Sequence, residues 1–405
     1  MRAEEKALRA IPVTDKVWWV GVVDRELDDF HGYLTPRGST YNAYLVVGDT
    51  VALIDTVKKP FFGQMMDRIA SVIDPKRIDL IVSNHSEMDH TGALPETIAA
   101  VEPKRVVASQ MGARAIATHF GGLQVEVVKS GEEIRLGEGL TLRFVETRLL
   151  HWPDSMVTYL PEKKLLFSQD IMGMHVAVQK LFADENPEDV LVHEAAKYYA
   201  NIIMPYSDLV LRALDSFSNF GIEPEIIAPD HGPIWRGDDI HKITAWYRKW
   251  AEQAPTDKVV IAYDTMWGST AKLAQAVAEG VRDAECTPVV HPLSNAHRSD
   301  IATELLESGA FVVGSPTINN NMFPTVADLL TYIKGLKPKN LVGATFGSFG
   351  WSGESVKQVA EALTAMKIEV VDTLRVQYVP EEKDLRAAYE LGQKVAHAVK
   401  IRLSE

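Results

Sequence analysis

The chain has 405 residues, 46% of them hydrophobic and 24% charged, a length and balance that suit two globular domains with full cores. Its net charge of −13, from 42 basic and 55 acidic side chains, opposes nucleic-acid binding, which depends on neutralising phosphates with Lys and Arg. One cysteine, Cys286, excludes an internal disulfide, a thiolate zinc site and a cysteine-bound iron–sulfur cluster, so any metal must be held by His, Asp and Glu.

The first residues, MRAEEKALRAIPVTDK, have no apolar core behind their charges and do not read as a secretory signal. Apolar runs such as Val259 to Tyr263 are far shorter than the roughly 20 residues that span a bilayer. No membrane partner and a cytoplasmic location are therefore expected. Tyr41 to Val47 and Val51 to Asp55 flank a Gly48-Asp49 turn, a hairpin pattern. Ile78 to Ser83 reads as a buried strand, and Val157 to Leu160 with Leu165 to Ser168 as a second hairpin around residues 161–164. Helical periodicity follows at His193 to Ile203, Asp208 to Phe217 and Asp239 to Glu252.

At Ala254-Pro255-Thr256-Asp257 the pattern changes, dividing the chain into domains 1–253 and 254–405. Beyond it, strands at Val259 to Tyr263, Pro288 to His291, Ala310 to Gly314, Leu341 to Phe346 and Ile368 to Leu374 alternate with helices. Five such units have the size of a flavodoxin-like, doubly wound parallel sheet.

The densest chemistry is Asn84-His85-Ser86-Glu87-Met88-Asp89-His90, directly after the Ile78 to Ser83 strand. Four metal-competent side chains in six residues exceed what an incidental polar loop supplies. In an extended loop, residues 85, 87 and 89 project to one side and 90 differently, which suits two neighbouring metals. His151, Asp170 and His231 each follow a probable strand end, where loops from several strands converge on one site. Two metals about 3.5–4 Å apart, bridged by a carboxylate, would use all seven. His31 and His175 are candidates for groups behind the ligands, while His119, His193, His241, His291, His297 and His397 read as surface or helix residues. Asp230 reads as a carboxylate behind the ligands or in solvent.

Three further loops follow strands of the second domain. Thr265-Met266-Trp267-Gly268-Ser269-Thr270 leads into a helix, where hydroxyls and backbone amides can hold a phosphate without a lysine, although Ser and Thr are also ordinary helix caps. Ser315-Pro316-Thr317-Ile318-Asn319-Asn320-Asn321 and Gly347-Ser348-Phe349-Gly350-Trp351-Ser352-Gly353-Glu354 follow the third and fourth strands. In a flavodoxin-like sheet these loops meet where the strand order switches and a ligand binds. No Gly-x-Gly-x-x-Gly turn is present for a tightly held dinucleotide.

The His85-x-Glu87-x-Asp89-His90 segment, with His151 in LLHWPDSM, Asp170 in LLFSQDIMG and His231 in APDHG, resembles the diiron site of flavodiiron proteins. The resemblance spans essentially the whole chain. It implies a metallo-β-lactamase-like αββα sandwich followed by the flavodoxin-like sheet, with His85, Glu87 and His151 on one non-haem iron, Asp89, His90 and His231 on the other, and Asp170 bridging. It also implies FMN, its phosphate in the first loop and its ring between the other two, with Trp351 or Trp267 against a ring face. Hydrolases of this fold usually have His-x-His-x-Asp-His and bind zinc; Glu87 in the middle histidine position hardens the site toward iron. Reduction of O2 to water or of NO to N2O follows from the resemblance, as do a separate donor such as rubredoxin and a head-to-tail homodimer or dimer of dimers. The competing expectations are a zinc-dependent hydrolase with an accessory flavodoxin-like domain, and an electron carrier whose front domain is only a scaffold.

Overall fold

In the computed structural model, which describes residues 8–404, two sheets make up the front half of the chain. The seven-stranded sheet runs in order Ile11–Pro12, Val17–Trp19, Tyr44–Val47, Val51–Ile54, Ile78–Ser83, Arg105–Ala108 and Glu126–Val127. The six-stranded sheet runs Glu133–Gly137, Leu140–Glu146, Met156–Leu160, Leu165–Gln169, Ile226–Pro229 and Trp235–Arg236. Successive strand residues point to opposite faces, and the core follows that rule. Tyr44, Val46, Leu80 and Val82 pack against Leu142, Phe144, Met156 and Phe167 of the other sheet. Their neighbours Leu45 and Ile81 pack instead with Met65, Ile69, Leu94 and Ile116 of covering helices. Helix, sheet, sheet and helix thus form the αββα sandwich.

The second half is a five-stranded sheet in order Thr287–Pro292, Lys258–Tyr263, Ala310–Gly314, Val342–Phe349 and Glu369–Gln377, every pair parallel. This 2-1-3-4-5 order is the flavodoxin-like one, with its switch point beside the first and third strands. By contacts, one compact unit holds Thr35–Tyr198, Asp208–Arg248 and the chain up to Phe30, and the other holds His31–Leu34, Tyr199–Ser207 and everything from Lys249. No described helix is long and apolar enough to cross a membrane.

Four expectations need correction. The strand expected at Tyr41 to Val47 is two strands, because Ser39–Tyr41 pairs with Val22–Asp24 while Tyr44–Val47 pairs with Val51–Ile54. The strand expected at Val51 to Asp55 ends at Ile54, because Asp55 turns away with a left-handed backbone, φ 56°. The helix expected at His193 to Ile203 starts earlier, at Glu188, and continues past Tyr198 as a π-helical turn over Tyr199–Ile203. The fourth strand of the parallel sheet runs on to Phe349, since Gly347, Ser348 and Phe349 still pair with Arg375, Val376 and Gln377.

The helices Ser269–Asp283 and Glu382–Ser404 meet through two glycines. A Cβ on Gly280 would lie inside 3 Å of the Tyr389 carbonyl, and one on Gly392 would do the same at the Val277 carbonyl. We expect Gly280→Val to force these helices apart and cost about 1–3 kcal/mol in denaturant unfolding. Gly335→Ala, in a helix where nothing lies within 4 Å, should be neutral or stabilising by about 0.5–1 kcal/mol. Equal unfolding midpoints for the two variants would contradict this account.

Candidate metal centre and flavin cleft

The buried strand Ile78–Ser83 delivers its last turn of chain into a clamp. Asn84 donates through its backbone N to Asp55 Oδ1 (2.7 Å) and through Nδ2 to Asp55 Oδ2 (2.8 Å), and its Oδ1 accepts from Thr158 Oγ1 (2.6 Å). Asp154 Oδ2 accepts from Ser86 N (2.6 Å) and Ser86 Oγ (2.7 Å) and lies 3.1 Å from His85 Nδ1. The segment is not extended throughout, as the spacing had suggested. The Glu87 carbonyl accepts from His90 N (3.0 Å) and Thr91 N (2.8 Å), closing a helical turn over Met88–Thr91 that carries Asp89 and His90.

His85, Glu87, His151 and Asp170 converge as one group of potential ligand atoms, and Asp89, His90 and His231 as a second. Asp170 faces both. Its Oδ2 lies 3.3 Å from His85 Nε2 and 3.0 Å from His151 Nε2, while its Oδ1 lies 3.2 Å from His90 Nε2 and 3.5 Å from His231 Nε2. The cluster is buried except at His151, whose side chain keeps 13% of its exposure, with Glu87 beside it the next most exposed at 10%, so solvent reaches it from that side. The Trp152 ring stands edge-on to His85, centroids 5.2 Å apart, beside the opening.

Chemistry of the donors fits bound cations. Asp89 Oδ1 and Oδ2, His90 Nε2 and Asp170 Oδ1 are buried without hydrogen-bond partners although they crowd together. His231 Nδ1 donates to the Thr40 carbonyl (2.6 Å), which turns Nε2 toward Asp89 Oδ2 at 3.2 Å. Lone pairs facing carboxylate oxygens in a dry site repel unless a cation lies between them. Protons take that place in the metal-free chain. Burial alone would push His85 down, but Asp154, Asp170 and Glu87 outweigh it and hold its pKa well above the ordinary value. Burial is likewise outweighed at His90, raised to about 10 by Asp89, Asp170 and Asp230. Asp170 is held well below the carboxylate range, because His90, His151 and His85 overcome its burial. Oxygen and imidazole donors without thiolate suit iron, manganese or zinc.

Behind these side chains lies a layer that the sequence revealed only in part. Asp154 was missed; its one signal was an acid three residues after His151. Despite burial, His85 and Ser86 draw its pKa down to about 2. Asp230 is fully buried, not solvated, and faces His90 Nδ1 at 3.6 Å. Burial and the nearby Asp55 raise its pKa well above the usual carboxylate range. His175 is fully buried, its Nδ1 2.8 Å from Ser39 Oγ and its ring 4.5 Å from that of His231. Burial and His231 keep it neutral, with its pKa well below the histidine norm. His31 is exposed on a left-handed turn and belongs to the other compact unit.

In the parallel-sheet unit, a cleft of about 520 Å³ opens at the C-terminal ends of the strands. All three loops line it, through residues including Ser269, Thr317, Asn320 and Ser348. Tyr378 and Val379, after the fifth strand, line it as well and had no recognised sequence signal. Gly268, at φ 83°, precedes the helix, so neither Ser269 nor Thr270 is its cap. Thr270 Oγ1 instead bonds Ser348 Oγ (2.9 Å), joining the first loop to the fourth strand. Trp267 and Trp351 are 94% and 88% exposed at the rim, which leaves two indole faces uncovered by the rest of the unit.

Comparison with known proteins agrees with this arrangement. Residues 40–232 match the ODP family beta lactamase model and residues 261–392 the flavodoxin model. The chain is 45% identical to a rubredoxin-oxygen oxidoreductase of Megalodesulfovibrio gigas, covering 98% of this chain and 100% of that one. It is 42% identical to a nitric oxide reductase of Moorella thermoacetica, over 95% and 98% of the two chains. The crystal structure of a flavodiiron protein from Giardia intestinalis superposes with a TM-score of 0.92 at 32% identity, covering 98% of each chain. The chain therefore belongs to the flavodiiron proteins. It is an oxidoreductase of that family, and the hydrolase expectation fits these relatives less well.

Two outcomes are expected for the metal-free protein. Asp154→Ala should weaken metal binding about 10–100-fold, as loss of a group that orients a ligand histidine does, with the flavin content unchanged. Because His85 and His90 hold protons at neutral pH, metal uptake should release protons, and affinity should fall about tenfold for each unit by which the pH is lowered, per proton displaced. Metal titration in weakly buffered indicator dye measures both.

Proposed function

We propose that the chain draws electrons from a separate donor protein into FMN held by residues 254–405 and delivers them to two non-haem irons held by residues 1–253, where O2 is reduced to water or NO to N2O. His85, Glu87 and His151 hold one iron, Asp89, His90 and His231 the other, and Asp170 bridges them. The observation that carries this reading is the division of the Asp170 carboxylate, one oxygen toward each histidine pair. When bound, the iron pair and FMN would supply two electrons each toward the four that O2 consumes.

The chain's own residues set the conditions. Asp154 on His85 Nδ1 and the Thr40 carbonyl on His231 Nδ1 fix ring orientation, so that each Nε2 faces the shared centre. Burial of six of the seven side chains limits access to small molecules entering past His151. In the second domain, amides and hydroxyls from Thr265 to Thr270 hold the FMN phosphate at a helix N-terminus, and residues 315–321 and 348–353 surround the ring. Trp351 or Trp267, both exposed at the rim, covers an apolar ring face. The donor is a rubredoxin-like protein, and the working unit is a head-to-tail homodimer or a pair of such dimers, in which the flavin of one chain meets the irons of its partner.

Asp170→Ala should lose iron and gas reduction by more than the roughly 10–100-fold that a group behind a ligand costs, while keeping FMN. Iron content equal to wild type would remove Asp170 as the bridge. Thr270→Val should weaken FMN without stripping iron. Two zincs and no iron in protein purified without added metal would overturn the reductase reading. Anaerobic single-turnover oxidation of the reduced protein by O2 and by NO, followed in the flavin absorbance, assigns the gas. A fully active monomer in gel filtration would refute the head-to-tail assembly.

A further inference from the structure

One wall of the cleft is a miniature hairpin, Thr317–Ile318 paired with Asn321–Met322. Its turn is Asn319-Asn320, both residues left-handed at φ 50° and 60°, the backbone of a tight two-residue hairpin turn. Two residues per strand cannot sustain such a ribbon in water, so something must brace it. Thr317 reaches Ser355 Oγ at its base (2.8 Å); at the tip Ser352 Oγ donates to Asn320 Oδ1 (3.3 Å), and the side chain that makes the most bonds there is Gln358 of the helix Glu354–Ala365. Gln358 Oε1 accepts from Met322 N (2.8 Å), and its Nε2 donates to the Asn320 carbonyl (3.2 Å) and to Asn321 Oδ1 (3.3 Å). Both ends of the side-chain amide are therefore used on the hairpin. The hairpin's other side, Thr317 to Asn320, faces the cleft.

We infer that Gln358, which does not line the cleft, is a positioning residue for the flavin: it holds the Asn319-Asn320 tip in the shape that meets the ring's polar edge, so that binding need not order the hairpin. This rests on the FMN reading above. A pre-ordered loop binds more tightly than one that must be ordered on binding. Fixed donors at the ring edge also favour one redox state over another, so the bracing acts on the flavin potential as well as on affinity.

The test uses the full chain stripped of flavin and titrated with FMN, in wild type, Gln358→Leu, Gln358→Glu and, as a neighbour on the same helix, Lys357→Ala. Gln358→Leu should weaken FMN about tenfold, shift its reduction potential, and speed amide exchange at residues 318–322 of the flavin-free chain, while exchange in the helix 354–365 stays as in wild type. Gln358→Glu keeps the acceptor for Met322 N but sets a carboxylate oxygen against the Asn320 carbonyl, and should not rescue. Lys357→Ala should match wild type. Wild-type FMN affinity and potential in Gln358→Leu would overturn the inference, and so would faster exchange throughout the helix, which would mean a general loss of structure. Failure of the wild type itself to bind FMN would instead overturn the FMN reading.

Discussion

Everything in the front half serves the burial of Asp170. A carboxylate at 1% exposure, amid four imidazoles and three more acids, is tolerable only if positive charge accompanies it. Two sheets packed face to face bring Leu165–Gln169, Ile78–Ser83 and Ile226–Pro229 to one rim, so that loops far apart in sequence share one small volume. The clamps behind them, Asp55 on Asn84 and Asp154 on His85 and Ser86, spend further buried carboxylates on orientation alone. Such a concentration of acids makes little sense as packing and good sense as a cage for cations.

The parallel-sheet unit meets the opposite requirement. Its cleft is rimmed by exposed indoles and lined by Met266, Ile318, Phe349 and Val379 together with hydroxyls and asparagines, with no carboxylate among the residues that line it. The strand-order switch sets its place, and the hydroxyl link between Thr270 and Ser348 ties its loops together. One half of the chain thus suits hard cations in a dry pocket, and the other a flat aromatic molecule at a surface.

Much of this was legible from the chain. Ile78 to Ser83, Ala310 to Gly314 and Asp239 to Glu252 have the bounds their patterns indicated, because fully buried runs and long amphipathic repeats carry strong local signals. All seven metal-competent side chains meet in one cluster, since each follows a strand end. Elements set by pairing rather than by pattern were not legible. Gly347-Ser348 looks like loop, yet stays in the sheet because the neighbouring strand runs on to Gln377. The Met88–Thr91 turn exists because one carbonyl, that of Glu87, collects two amides. Asp154 lay within a segment already singled out and went unnoticed, because a lone acid beside a histidine carries no periodicity.

The loop proposed to seat the FMN phosphate differs from most anion sites in its charge. From Thr265 to Thr270 it carries no lysine or arginine, so an anion seated there is held by backbone dipoles and hydroxyls at contact range. Dissolved salt weakens attractions that act over about 8–10 Å, and here there is little for it to weaken. Retention of an anion there would depend more on shape than on side-chain charge, and so less on the ionic strength of the medium than at a site built on lysine or arginine.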